Sequence, residues 1–386
     1  MSGTPPIVHP INYHNGIMLA PMVRSGTLPS RLLALKYGAD LVWGPEIVDR
    51  AIIGCERIVD EETGVISYEK SSRQIWSTHP AERPFLIYQI GSSSPSLAVE
   101  AALTVAGDVS GVDLNCGCPK PFSTHAGMGA NLLTNPDLLC EILTSLRRAL
   151  PAHIPVTAKI RLLPDQNDTL ELIRRIVGTG VSALTVHCRT KEMRKTEPAL
   201  VHQLREIVEF VERLGVGIPV IENGDCLSRQ DAKRIRDMTG VCSVMLATAA
   251  EKNLSCFSSG PLLDAESVLA PTYLSLARYL KNPWGNSKHC SSQFTSPQGK
   301  NGKSKLKEFK QTLSQGKGYD AFPDADASRG EKILKEVEDV VKRRLVLVSE
   351  RPATRNTTTT LQILPPGTPF MVPSEPLKEV QSAVSM

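Results

Sequence analysis

Residues 156–187 read VTAKIRLLPDQNDTLELIRRIVGTGVSALTVH. Two short apolar runs, starting at Val156 and Ala183, flank a stretch over 169–177 whose apolar residues recur at helical spacing. The runs are too short for helices, rich in Val, Ile and Leu, and bounded by Pro, Gly or Asp. They are continuous rather than alternating, as expected for strands buried on both faces of a parallel sheet. The stretch therefore predicts a strand, a crossover helix and a second parallel strand.

The same unit recurs on both sides. Apolar runs begin at Ile17, Leu41, Phe85, Val112, Val156, Ala183, Val220 and Val244. Helical patterns lie between most of them, over 30–37, 96–106, 137–150, 169–177, 200–214 and 229–238. Eight alternations in roughly 250 residues predict an α/β fold, a (β/α)8 TIM barrel. A doubly wound open sheet competes, but the count is eight and no G-x-G-x-x-G follows the first run. Between the second and third runs, 45–83 carries only a weak pattern. That is too long for an ordinary connection, so it is read as an excursion inserted over one barrel face.

Residues 1–254 are thus expected to form the barrel. Residues 255–348 are read as a small helical domain containing a basic loop at 281–318. Residues 349–386, rich in Thr and Pro, are read as a disordered tail.

Of the 386 residues, 41% are apolar, enough for a sizeable core and too many for a mostly disordered chain. No apolar run approaches the length of a membrane span, and no secretory leader is read at the N-terminus. Nine scattered cysteines fit a reducing compartment, so the expectation is cytoplasmic, with the nucleus as a second location. A monomer is expected. Between Lys281 and Lys317 eight lysines face one acid, Glu308, inside a chain of net charge +4. Such a segment suggests an anionic partner, phosphate backbone first; a solvated loop is an equal alternative.

In a (β/α)8 barrel, chemistry sits at the C-terminal ends of the strands. Pro21 and Met22 close the first run, Gln89 the third, and Asn115 to Lys120 (NCGCPK) the fourth. Lys159 and Arg161 close the fifth, His187 the sixth, and Asn223, Gly224 and Asp225 the seventh. One such residue alone is ordinary packing; six strand ends sharing the feature point to a common mouth. Cys116 and Cys118 do not make a metal site, because no second close pair exists to complete four ligands. One of them, exposed by the turn at Gly117, suits a nucleophile or a proton donor, and the residues favour neither. The Gly-rich 126–130 stretch could cradle a phosphate or admit a bulky ligand. The loops after the seventh and eighth runs, with Asn223–Asp225 and Ala247-Thr248, are where barrels commonly bind phosphate. A phosphate-bearing cofactor follows from position.

Taken together, LAPMV at 19–23, DLNCGCPK at 113–120, GMGANLL at 127–133, TAKIR at 157–161, VHCRT at 186–190 and VIENGD at 220–225 resemble the tRNA-dihydrouridine synthase family, in its order and spacing. The opening after residue 19 and KNPWGNSKHCSSQF at 281–294 resemble its eukaryotic branch, which modifies uridine 20 of the D-loop. The resemblance covers about residues 16–318.

The resemblance implies a barrel carrying FMN, reduced by NADPH or NADH, and a helical domain that helps hold tRNA. Hydride then passes to C6 of a flipped-out uridine while a cysteine protonates C5. Cys118 matches that general acid, and Cys116 a variable packing position. Pro21, Met22 and Val23 match the loop against the flavin ring; Gln89 and Lys159 match groups at its pyrimidine edge. His187, Asn223, Gly224, Asp225, Ala247 and Thr248 match ribityl and phosphate contacts. Asn115 and Arg161 match the substrate side, and Lys300, Lys303, Lys305 and Lys307 are expected to meet tRNA phosphates. Thr248 stands where the family usually has Arg, His125-Ala126 where the branch has Lys-Gly, and Cys188 where Gly is usual. The competing functions are a flavin barrel acting on a small pyrimidine, and a tRNA-binding protein with weakened flavin binding.

Overall fold

The computed structural model describes residues 11–296 and 302–350, with side chains described for all of these except 302–305 and 348–350. The disordered tail expected at 349–386 lies almost wholly outside the described residues.

Eight parallel strands close into a barrel: β1 (Ile17–Leu19), β2 (Val42–Trp43), β3 (Leu86–Gly91), β4 (Gly111–Cys116), β5 (Val156–Arg161), β6 (Ala183–His187), β7 (Val220–Asn223) and β8 (Ser243–Leu246). Closure is made where β8 pairs with β1, Val244 opposite Ile17, and where β2 pairs with β3, Val42 opposite Leu86. The strands are almost wholly buried, as their unbroken apolar runs require. The expected helices are present, among them Pro136–Ala149, capped by Asn135, and Gln166–Val177, capped by Asp165.

The excursion after β2 has more order than its pattern suggests. Ile47–Val48 adds to β3, and Glu56–Val59, Ile66–Lys70 and Arg73–Thr78 form a separate antiparallel sheet. Its first strand is exposed throughout, so it has no apolar alternation to read. The sheet is held by Trp76, which meets Tyr88 of β3 edge to face and packs against Tyr68 of the sheet itself. Arg31, buried on the helix Leu28–Lys36, forks onto Glu82 and donates to the Ser77 carbonyl.

Beyond the barrel lie the helices Ala270–Tyr279, Trp284–Gln293, Gly302–Gln315 and Ala327–Glu350. The basic loop expected at 281–318 is therefore corrected: most of it is helical. The reason is apolar, not ionic. Leu306, Phe309 and Leu313 recur at helical spacing; the first two pack against the core and Leu313 is buried, and Phe309 meets Phe322 with ring centroids 5.6 Å apart. Reading the lysines alone hid that stripe.

Candidate active site

Strand register brings the predicted residues together. Asn115 of β4 lies opposite Lys159 of β5, which lies opposite Thr185 of β6. One layer higher, Arg161 lies opposite His187, and His187 opposite Asn223 of β7. Residues matched across parallel strands project from the same face. These side chains therefore converge on the C-terminal mouth of the barrel.

The floor is a hydrogen-bonded chain. Asp113 Oδ1 accepts from Thr157 Oγ1 at 2.6 Å, and Oδ2 accepts from Gln89 Nε2 at 2.8 Å. Gln89 Oε1 in turn accepts from Asn115 Nδ2 at 3.1 Å. Asp113 thereby fixes which way the Gln89 amide points, and Gln89 fixes Asn115. Burial pushes the Asp113 carboxyl up to about 6, against the pull of these donors and of Lys159.

Asn115 also shapes the cysteine turn. Its Oδ1 accepts the backbone N–H of Gly117 at 2.9 Å and of Cys118 at 3.0 Å. Arg161 braces the same turn from β5, donating Nε to the Gly117 carbonyl at 2.7 Å. The two cysteines consequently part. Cys116 is fully buried against the helical layer, its Sγ directed at the Leu114 carbonyl. Cys118 is only half-buried. The Gly-rich stretch serves this turn. Ala130 N donates to the Cys118 carbonyl at 2.9 Å, and Gly129, at φ +60°, passes so close that a Cβ would lie 2.6 Å from that oxygen.

Burial, and next the Glu46 carboxylate, push the Cys118 thiol up to about 11. It stays a thiol at neutral pH, the state of an acid rather than a nucleophile. Glu46 was not singled out in the sequence. It stands three residues beyond the end of β2, after Gly44 and Pro45, and an acid in the loop closing an apolar strand was the signal available.

The opposite side of the mouth is cationic. Burial lowers the Lys159 ammonium to about 8, with Arg161 adding to the fall. Burial and the neighbouring Lys159, Arg161 and Arg189 drive His187 down to about 2, so its imidazole is neutral. Asp225, at φ +59°, forks both oxygens onto Arg189 at 2.7 Å and accepts from Ala199 N. Its carboxylate is thus engaged within the protein. Asn223 Nδ2 donates to the Met245 carbonyl at 2.9 Å, tying β7 to β8. Gly224 packs against Cys188 and Ala199, where a Cβ would lie within 3.1 Å of both. Ala247 follows β8, and Thr248, exposed, starts the short helix Thr248–Lys252. Pro21 and Met22 follow β1 half-buried, and Val23 stands 47% exposed at the rim.

Of the lysines expected to meet phosphate, Lys300 lies outside the described residues, as do the side chains of Lys303 and Lys305. Lys307 is exposed. Lys281 pairs with Asp60 at 2.7 Å and Glu62 at 2.8 Å on the excursion, and Lys288 donates to the Ser314 carbonyl at 2.8 Å. Lys281 thus ties the helical domain to the excursion, and Lys288 ties two of the domain's helices to each other. Among the described residues, no group of three or more His, Cys, Asp or Glu side chains could hold a metal ion, and no helix is long and apolar enough to cross a membrane.

A half-exposed thiol beside a cation-lined barrel mouth defines a barrel enzyme site with an acid on one side and an anion-receptive pocket on the other. The dihydrouridine synthase (Dus) family profile matches residues 18–278. The chain is 50% identical over 291 residues to tRNA-dihydrouridine(20) synthase (NAD(P)+) of Schizosaccharomyces pombe, covering 73% of this chain and 60% of that one. It is 40% identical over 300 residues to the protein of the same name from Saccharomyces cerevisiae, covering 73% and 78%. Among solved structures, DHODH from Eimeria tenella in complex with ferulenol is similar at a TM-score of 0.42 and 12% identity, covering 61% of this chain and 76% of that one. The chain belongs to the dihydrouridine synthase family.

Proposed function

We propose that the protein is a flavin-dependent tRNA-dihydrouridine synthase that reduces the C5–C6 bond of a D-loop uridine, U20, with NADPH or NADH as reductant. The carrying observation is Cys118: a half-buried thiol, held protonated, on a turn fixed by Asn115 and Arg161. The relatives named for position 20 support the choice of uridine.

The mouth fits FMN. Thr185 Oγ1 is buried there without a hydrogen-bond partner among the described residues. His187, lowered first by burial, is lowered further by the neighbouring Lys159, Arg161 and Arg189, cations that suit the pocket to a phosphate-bearing group. Gln89 and Lys159 would hold the ring's pyrimidine edge, and Pro21, Met22 and Val23 its face. His187, Asn223, Gly224, Asp225, Ala247 and Thr248 would lie along the ribityl chain and phosphate. When bound, FMN supplies the hydride that the side chains cannot.

The chain's own part is to hold the base and deliver a proton. Asn115, its amide fixed by Gln89, would orient the uracil, and Arg161 stabilises the turn that presents the thiol. Cys118 then gives its proton to C5. The thiol's raised pKa keeps the proton available until a carbanion-like carbon is there to take it. The helical domain and Lys300, Lys303, Lys305 and Lys307 would meet tRNA phosphates. Nine cysteines scattered singly along the chain go with a reducing location, cytoplasmic or nuclear.

The test is tRNA lacking dihydrouridine, incubated with the flavin-loaded protein and NADPH or NADH. Cys118→Ala should lose about 10²–10⁴-fold in uridine reduction and retain nicotinamide oxidation. Cys116→Ala should lose far less. Equal losses in the two variants would remove Cys118 from the acid's role.

A further inference from the structure

Once Cys118 has given up its proton it must be reloaded, and Cys118 Sγ has one acid beside it. Glu46 lies between β2 and Ile47–Val48, and that short strand is pinned to β3 by the pairing of Val48 with Gly91. Its carboxyl is buried, at 7% exposure. The fold makes room for it: a Cβ on Gly91 would lie 2.6 Å from Glu46 Oε1. Ser123, fully buried, donates its hydroxyl to Glu46 Oε1 at 3.2 Å. The other oxygen, Oε2, has no hydrogen-bond partner among the described residues. Gly129 marks the junction: a Cβ there would lie 2.4 Å from Ser123 Oγ and 3.1 Å from Cys118 Cβ. The hydroxyl bonded to Glu46 therefore sits against the Cys118 side chain, and thiol, hydroxyl and carboxyl form one cluster.

The cluster has a route to solvent. A cavity of about 320 Å³ runs between the rim, the excursion and the helical domain, lined among others by Val23, Arg24, Glu46, Arg73 and Asn282. Glu46 is the residue common to this cavity and to the Cys118 turn.

Building on the proposed synthase activity, we infer that Glu46 positions the Cys118 thiol and reloads it with a proton drawn from this cavity after each turnover. In that step the Glu46 carboxylate, left beside a thiolate, first takes a proton from solvent in the cavity. Its new O–H bond then breaks as an S–H bond forms on Cys118, which restores thiol and carboxylate; no electrons change hands. A carboxylate beside a thiolate is a pair of like charges in a partly buried place, so the pair retains one proton between them. Burial raises both groups, and a carboxyl is by nature a far stronger acid than a thiol, so transfer from carboxyl to thiolate runs downhill. The other groups facing the thiol are the Arg161 guanidinium and the Lys120 backbone N–H, both of which favour the thiolate.

Two measurements test this. The first needs no tRNA. Iodoacetamide alkylation of Cys118 is followed by peptide mass spectrometry from pH 7 to 11, with Cys140 as internal control. Glu46→Gln removes the negative charge next to the thiol, so the alkylation midpoint should fall, with roughly tenfold more thiolate at a given pH for each unit it moves. Glu46→Asp, which retains the charge, should stay near the native midpoint. An unchanged midpoint in Glu46→Gln, with Cys140 behaving as in the native protein, overturns the inference. The second measurement uses the flavin-loaded enzyme and tRNA lacking dihydrouridine, comparing the first turnover with later ones. Glu46→Gln should depress later turnovers about 10²-fold relative to the first, increasingly so as pH rises. Equal depression of first and later turnovers would mean a structural role only. If Cys118→Ala reduces uridine as well as the native protein, the synthase reading fails instead, and the alkylation result still reports on the Glu46–Cys118 pair.

Discussion

Asn115 Oδ1 accepts the backbone N–H of Cys118 at 3.0 Å while its Nδ2 donates to Gln89 at 3.1 Å. One amide therefore links the cysteine turn to the floor of the mouth, and neither neighbour can shift without the other.

Asn115→Asp separates these duties. The carboxylate can still accept from Gly117 and Cys118, but its second oxygen now faces Gln89 Oε1, whose partner Nε2 is held by Asp113. The expected result is a folded protein with uridine reduction lowered about 10–100-fold, the equivalent of roughly 1.4–2.7 kcal/mol. Asn115→Leu strips acceptors from two backbone N–H groups and should also lose about 1–3 kcal/mol of stability, read from urea unfolding. A stable Asn115→Leu variant would show that the turn holds without its Asx bond.

Lys159 gives the site a pH dependence. Its ammonium titrates at about 8 rather than 10.5. Above pH 8 the folded protein has lost this proton, while the unfolded chain holds it until about 10.5. Through this group, stability therefore rises with pH between those values, and the buried cation costs stability below them. Anion binding has the opposite sign, since the attracting charge disappears as pH passes 8. FMN affinity, followed by fluorescence titration, should weaken between pH 7.5 and 9.5. In Lys159→Met it should be about 10–100-fold weaker at neutral pH and flat over that range. A native profile that is equally flat would detach Lys159 from the flavin.

The helical domain depends on a close approach at Gly330. A Cβ there would lie 2.2 Å from the Ser275 carbonyl oxygen and 2.6 Å from Tyr279 Cβ. Alanine gains about 1 kcal/mol of helix propensity at this position, but the clash forces two packed helices apart at about 1–3 kcal/mol or more. Gly330→Ala should lower the melting temperature of the native protein. A higher melting temperature would mean that the helices yield.

Replacing Lys300, Lys303, Lys305 and Lys307 together by Gln should weaken tRNA binding and flatten its salt dependence, by at most about 3–4 units of log–log slope at ~0.7–0.9 per phosphate contact. Flavin content should not change. Affinity across a salt series decides it, and an unaltered slope would leave these lysines as solvated surface.

Much of the barrel was legible because each strand, buried on both faces, must be apolar along its length, and because helices such as Pro136–Ala149, Gln166–Val177 and Arg229–Thr239 are capped by their own neighbours. The 156–187 unit shows this: its strand, capped helix and second strand all answer to near neighbours. The polar ends of β3 to β7 were legible for the same reason, since a polar residue closing such a run stands out. The excursion sheet and the helix over 302–315 were not. Their strands and stripes are polar on one side and are held by distant partners, Tyr88 for Trp76 and Phe322 for Phe309. Chain order said that Cys116 and Cys118 flank a turn. Which one faces the mouth was decided by Asn115, Arg161 and Gly129 converging on the turn. The approach of Glu46 to Cys118, 72 positions apart in the sequence, exists only because closure of the barrel sets the end of β2 near the end of β4. No local pattern encodes a contact of that kind, since the energy that fixes it is the packing of the whole barrel.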